Sequence, residues 1–350
     1  MATFNFDKAD LWPFRKEDLI DLLRELLPSS SETSIFPKLI TEGSSPINSV
    51  YIRVPSVVCG PVEALVLINK VTRQDLKTII VKVPSGRREI VGAVGDNILD
   101  NDNISCRLLA PAKRLSVVNK TLTEYLLLPF RYPWDIFANI RYLLENHWFA
   151  IADYLSNAWQ LNEISPHVFV APTATISADV IFRGPVVIGP RAVVRNAAIV
   201  GKQCIIMRGS RVEEYCRVAK YSLIGPEALI GHCAEVSGTI FGRAKAKHFS
   251  YFRGVLGVEA NLGAGTLCGT ERFDGGNSTH ERGGGKITIQ SGANEIYLGR
   301  GARTGVGTCL LAGTMLGEGA AVGPNLSVSG YVQDGEFLLP NNSIRRERTK

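Results

Sequence analysis

From residue 170 to residue 236 an aliphatic or aromatic side chain recurs at every sixth position: Val170, Ile176, Phe182, Ile188, Val194, Val200, Ile206, Val212, Val218, Ile224, Ile230 and Val236. Small side chains follow four residues later, among them Ala192, Ala198, Cys204, Ser210, Cys216, Ser222, Ala228 and Ala234. An α-helix repeats at 3.6 residues and a strand at 2.0, so neither generates a period of six. A triangular coil does. The aliphatic residue stacks on its equivalent in the next coil, and the small residue fits a corner that a larger one would overfill. Glycine beside the aliphatic position, as at Gly189, Gly201, Gly225 and Gly231, allows the backbone angles of a tight corner. The pattern predicts a mainly β fold, a left-handed parallel β-helix of hexapeptide repeats spanning 166–335. It resumes at Leu256 and Leu262, and again at Leu298, Thr304, Leu310, Leu316, Val322 and Val328. A register shift near Phe241 interrupts it, and a Gly-rich polar stretch from Cys268 to Tyr297 leaves it altogether. Insertions on a solenoid gather on one face and often form the binding face.

Upstream the periodicity differs. Residues 17–27 form a short amphipathic run ended by Pro28, and a Ser-rich stretch at 29–34 reads as a loop. Short β-branched clusters at 54–58, 64–68, 79–83 and 90–94, separated by Gly and Pro, predict a small α/β domain over 1–120. Over 121–165, Trp134, Phe137, Ile140 and Leu144 fall three or four apart behind Pro133, which predicts a helical connector. Residues 336–350 make a basic tail in which Arg345, Arg346, Arg348 and Lys350 surround Glu347, and the expected role is a solvated end.

Composition narrows the class without choosing a function. With 45% hydrophobic and 21% charged residues in 350, the chain is an ordinary globular one. A net charge of +6 gives no reason to expect a nucleic-acid partner. No apolar run reaches the ~18 residues a membrane span needs, and the N-terminus lacks the layout of a secretory signal, so the cytoplasm is the expected location. Seven cysteines lie far apart with no CxxC pair and read as reduced core residues. A zinc site would need three convergent histidines. The coil offers only His232, His248 and His280, without short paired spacing, so no metal is expected.

Two stretches carry a resemblance. Residues 245–251 (KAKHFSY), 259–266 (EANLGAGT) and 272–275 (RFDG), with 230–236 just upstream, are similar to the acetyltransferase half of the bifunctional N-acetylglucosamine-1-phosphate uridyltransferase/glucosamine-1-phosphate acetyltransferase. Residues 131–135 (RYPWD) with Asn139 resemble the connector of related sugar nucleotidyltransferases. The resemblance implies an acyl-CoA-dependent N-acetyltransferase acting on an amino sugar or amino-sugar phosphate, with acetyl-CoA as cosubstrate. It implies His248 as the general base, a task that suits an imidazole with a free pKa of ~6.5. It places Tyr251 and Asn261 on the sugar, and Gly263, Ala264 and Gly265 beside the acetyl and pantetheine portion. A homotrimer follows from the resemblance and from geometry, because flat prism faces pack side by side and three close.

The match departs from the family at its anion contacts. Positions that carry phosphate-binding cations in the family hold Ala219, Ser237 and Ser278 here, while Val306 and Pro324 replace small CoA-side residues. Arg217 and Lys220 flank Ala219, and Arg253, Arg272 and Lys286 are further candidates to hold a sugar phosphate. No Gly-rich, cation-bearing nucleotide loop opens the chain, so uridyltransferase activity is not carried over. Two other readings stay open: a catalytically inert coil that binds sugar nucleotides or serves as a scaffold, and a nucleotidyltransferase with an unrecognised head within 50–130.

Overall fold

The structure, a computed structural model, describes residues 11–26, 132–282, 285–288 and 294–339, together with short strands at 56–59, 78–82, 88–93, 126–129 and 345–347. Two compact units result, one from 1–9 with 28–131 and one from 10–27 with 132–350. In the first, Ser56–Cys59, Leu126–Pro129, Thr78–Lys82 and Arg88–Ala93 form a four-stranded sheet in that order. Three of the four predicted β-branched clusters overlap these strands; the cluster at 64–68 lies outside the described residues. The predicted amphipathic run is helix α1 (Lys16–Leu26), and it belongs to the second unit, not to the rest of 1–120.

The second unit is a parallel β-helix. On its first face, strands starting at Thr175, Val193, Arg211, Leu229, Lys245, Asn261, Arg303, Ala321 and Glu336 stack in parallel, making nine coils. Of the twelve residues of the six-residue repeat, ten are buried, while Ile176 and Phe182 in the first coil are half-buried against the core. The small corner residues Ala192, Ala198, Cys204, Ser210, Cys216, Ser222, Ala228 and Ala234 are all buried. Burial pushes the thiols of Cys204, Cys216 and Cys268 up to about 12, as expected of inert core cysteines.

The register shift has a local cause. Arg217–Val218 and Leu223–Ile224 are separate strands on the second and third faces, and the single strand Glu235–Ile240 pairs with both. Two residues are missing, so one corner is pressed into a continuous strand, and Tyr251–Leu256 repeats the arrangement. Gly238 (φ 124°) and Gly254 (φ 143°) occupy the pinch. A Cβ at Gly238 would strike the Gly254 carbonyl and come within 2.8 Å of the Phe137 ring. One coil later the insertion leaves and returns at the same corner, between Leu267–Cys268 and Ile296–Leu298, carrying the hairpin Thr279–Arg282 with Gly285–Thr288.

Helices cover the third face. Its outward positions, Val187, Ile205, Leu223, Thr239, Val255, Tyr297 and Met315, are all buried. Helix α2 (Pro133–Asn146) sets Phe137 against Gly238, and helix α3 (Trp148–Trp159) sets Trp159 against Gly189. Pro133 opens α2, and the backbone N–H of Tyr132 donates to Asp135 Oδ2 at 2.9 Å. Helix α1 buries Leu19, Leu22, Leu23 and Leu26, and just before it Phe14 stacks on Phe241 at 6.0 Å. Ion pairs Arg208–Glu25 (3.1 Å), Arg300–Asp18 and Arg15–Glu318 tie this segment along several coils. A reversed strand closes one face at each end of the solenoid: Asn162–Ser165 runs antiparallel to Val168–Val170, and Arg345–Glu347 antiparallel to Glu336–Leu338. Part of the expected C-terminal tail is therefore a strand.

Candidate functional site

The corner between the first and second faces gathers the residues that the sequence placed apart. Backbone bonds from Phe249 to His232 (3.0 Å), Gly265 to His248 (2.8 Å), Gly307 to Ala264 (2.9 Å) and Asn325 to Val306 (2.8 Å) put His232, His248, Ala264, Val306 and Pro324 in one column on successive coils. The His248 side chain is exposed, and its ring has no hydrogen-bond partner among the described residues. Tyr251 begins the second-face strand just past the corner, and Asn261 lies on the first face beside Lys245 and Arg303. His248, Tyr251, Asn261 and the Gly263-Ala264-Gly265 turn thus share one corner and its two flanks.

That turn is held from inside. Gly265 has φ 69°, the left-handed region that glycine enters freely. Thr304 Oγ1 accepts from the Gly263 N–H at 3.0 Å and lies 2.7 Å from Thr266 Oγ1, and the Thr266 hydroxyl also lies 2.7 Å from the Gly263 carbonyl. Thr266 and Thr304 are buried; the sequence offered Thr304 only as a repeat position, where an aliphatic residue is usual, and Thr266 only as the end of the 259–266 stretch.

The histidines do not converge. His232 Nδ1 is 3.9 Å from Glu214 Oε2, and its ring sits edge-on between Tyr215 and Phe249 at 5.6 and 5.8 Å. His280 is buried in the insertion, with Nδ1 2.6 Å from Tyr331 Oη and its ring stacked on Trp134. No group of three or more His, Cys, Asp or Glu among the described residues could hold a metal ion.

The anion candidates divide. Arg272 closes onto Asp274 at 2.6 Å in the exposed insertion, and that bond holds the Asp274 carboxyl well below the usual carboxylate range. Lys286 lies 3.9 Å from Glu281, also exposed. Ser278 is buried at the root of the insertion, where its N–H donates to Asn294, so a cation there would be desolvated rather than presented. The others meet elsewhere. A groove of ≈ 730 Å³ at the corner between the second and third faces is lined by Arg217, Ala219, Lys220, Ser237 and Arg253, and also by Arg141 of α2, Arg183 and Lys202. Both replaced positions, Ala219 and Ser237, therefore lie in a basic groove whose charge comes from neighbouring residues. Arg217 pairs with Glu235 at 3.1 Å, and Arg253 pairs with the fully buried Glu295 at 3.1 Å while reaching Ser237 Oγ at 3.5 Å. Around the buried Tyr221, Lys202, Lys220 and Arg141 approach the ring centroid at 5.2, 5.4 and 5.4 Å. The Tyr221 hydroxyl raises the Lys202 ammonium above its usual range. Arg141, Arg183 and Lys202 were missed because they come from a helix and from coils far apart in the chain.

Comparisons with known proteins agree with the repeat. A family model described as the GMPPB C-terminal domain matches residues 164–263. A bifunctional sugar-1-phosphate nucleotidylyltransferase/acetyltransferase of Sulfurisphaera tokodaii is 31% identical over 184 residues, covering 52% of this chain and 45% of the relative. The bifunctional protein GlmU of Idiomarina loihiensis is 32% identical over 189 residues, covering 49% and 38%. The chain spans less than half the length of these relatives. Among solved structures, the polySia-specific acetyltransferase NeuO matches at 15% identity and TM-score 0.31 over 52% of this chain and 83% of its own. The acetyltransferase domain of PglB from Neisseria gonorrhoeae, in complex with acetyl coenzyme A, matches at 14% and 0.18 over 57% and 64%. By sequence, then, the chain resembles the hexapeptide-repeat acetyltransferases of the GlmU kind.

Proposed function

We propose that this protein is a cytoplasmic, acyl-CoA-dependent N-acetyltransferase whose acceptor is an amino sugar or amino-sugar phosphate, working as a homotrimer. The observation that carries the reading is the corner column: an exposed imidazole at His248, stacked directly on the Gly263-Ala264-Gly265 turn and flanked by Tyr251 and Asn261. The relatives' names supply the chemistry. In the proposed reaction acetyl-CoA provides an activated acetyl group as a thioester. The acceptor amine forms the new C–N bond as the C–S bond breaks and the thiolate leaves. His248 takes the proton that the amine loses and passes it towards the departing sulfur. Tyr251 and Asn261 hold the sugar, and the glycines let the main chain approach the acetyl and pantetheine portion. Lys220 stands in for the cations absent at Ala219 and Ser237, with Arg217 and Arg253, each paired to a glutamate, beside it.

The trimer has a structural rationale. Among the described residues helices cover the third face and not the first and second, which meet at His248, and a neighbouring copy on those faces would enclose an imidazole left open in one chain. The reading is tested by calorimetry with acetyl-CoA, by sedimentation at micromolar protein, and by a thiol-release assay with glucosamine-1-phosphate. Binding, a trimer and turnover are expected. A trimer that binds no acetyl-CoA at millimolar concentration would leave the inert coil as the better account.

A further inference from the structure

We infer that the basic groove accepts a diphosphate-bridged ligand of the nucleotide-sugar class, not a lone phosphate monoester. Among the described residues six cationic side chains line it and no carboxylate does. Two of them are neutralised, Arg217 by Glu235 and Arg253 by Glu295. Arg141, Arg183 and Lys220 have no ion-pair partner among the described residues, and Lys202 has only the Tyr221 hydroxyl and a more distant Glu145. Three of these cations crowd one ring: each lies within 5.4 Å of the Tyr221 centroid, so no two are more than about 11 Å apart. Such crowding, on the wall of a concave groove, is an arrangement that a bound polyanion stabilises.

The layout sets the length of that anion. Arg183, Lys202, Lys220, Ser237 and Arg253 fall on successive coils, and adjacent strands lie ~4.8 Å apart, so the cationic wall runs about 19 Å along the solenoid. A phosphate monoester offers three terminal oxygens at one point and would engage one or two coils. Two phosphates joined by a bridging oxygen, with a nucleoside on one and a sugar on the other, extend along several. The end at Arg253 lies two residues from Tyr251, which directs the sugar towards the His248 corner, and the stretch bearing Arg141, Lys202 and Arg183 is left for the nucleoside diphosphate. The sugar end of this assignment rests on the acetyl-transfer reading; the diphosphate end rests on the groove alone.

Calorimetry on the full chain separates the two. The probes are UDP-glucose, GDP-mannose, glucose-1-phosphate, inorganic phosphate and CoA, each at low salt and again at 0.3 M salt. At least one nucleotide sugar is expected to bind tenfold or more tightly than glucose-1-phosphate. Arg141→Ala and Lys202→Ala should each weaken it about tenfold, the worth of a charge-assisted bond, with little effect on the monoester. Lys202→Met keeps the stem over Tyr221 and removes only the charge, so it should match Lys202→Ala and show that folding is not at issue. Equal affinity for the monoester, indifference to these variants, no nucleotide-sugar binding at millimolar ligand, or a groove dependence seen with CoA alone would each overturn the inference. Nucleotide-sugar binding that survives in a protein unable to acetylate any amino sugar would leave the groove standing and remove the acetyl-transfer reading instead.

Discussion

The third face of the coil and the corner that bears His248 are built from the same repeat and put to opposite uses. Strands of the third face are apolar on both sides, as in Val186–Ile188, Cys204–Ile206 and Ile296–Leu298, and every residue in these three is buried. On the other faces many strands alternate, as in Arg211–Val212, Arg217–Val218 and Asn261–Leu262, with the polar residue outward, while Val193–Val194, Ile199–Val200 and Leu229–Ile230 keep an apolar residue there. A strand covered on both sides reads as continuously apolar, and a half-covered one alternates. The outward position thus decides whether a face is a packing surface for helices or a surface for ligands and neighbours. Stability and chemistry are expected to separate along the same line.

The sharpest test of that separation is His248→Ala, expected to lower kcat for acetyl transfer by ~10²–10⁴ with an unchanged melting temperature. A matching loss of stability would mean that the corner is structural. Next, Met315→Ala on the covered face should cost ~2–5 kcal/mol in denaturant unfolding, as a truncated core side chain does. Arg211→Ala, at an outward position of the first face, should stay within ~0.5 kcal/mol. Similar costs at both sites would erase the distinction between faces. The buried thiols predict an alkaline limb. With folded values near 12 against an ordinary 9.0, their contribution is complete below pH 9 and is lost between pH 9 and about 12. The slope should approach about 1.4 kcal/mol per pH unit for each fully buried thiol, and Cys204→Ala should reduce it. Smallest is the half-exposed pair Arg208–Glu25, for which a double-mutant cycle should return ~0.2–1 kcal/mol.

The coil was legible because one period runs unbroken from Val170 to Val236, and because the pinch and the insertion both break it visibly. What the third face packs against was not, although Val186, Val187 and Ile188 in succession carry the signal. The docking of α1 joins the start of the chain to coils 183 to 282 residues downstream, as Glu25 meets Arg208 and Asp18 meets Arg300, which no local pattern encodes. At the site, His248, Tyr251, Asn261 and the 263–265 turn came from short contiguous stretches, so resemblance could find them. The groove could not be found that way. Its cations are single residues spaced about one coil apart, Arg183, Lys202 and Lys220, visible only once coils are stacked eighteen residues at a time.

A solenoid of identical coils has no intrinsic length, because each finished coil is a template for the next. Here the two end coils each carry a strand of the wrong polarity, Asn162–Ser165 on the third face and Arg345–Glu347 on the first. An incoming coil must pair in parallel on all three sides at once, so one reversed side is enough to refuse it. On that side the backbone groups that would recruit another molecule end to end are already used. The reversed strands thereby oppose continuation of the coil along its axis at both ends. A repeat that could in principle template itself is given a mismatched edge at each end instead.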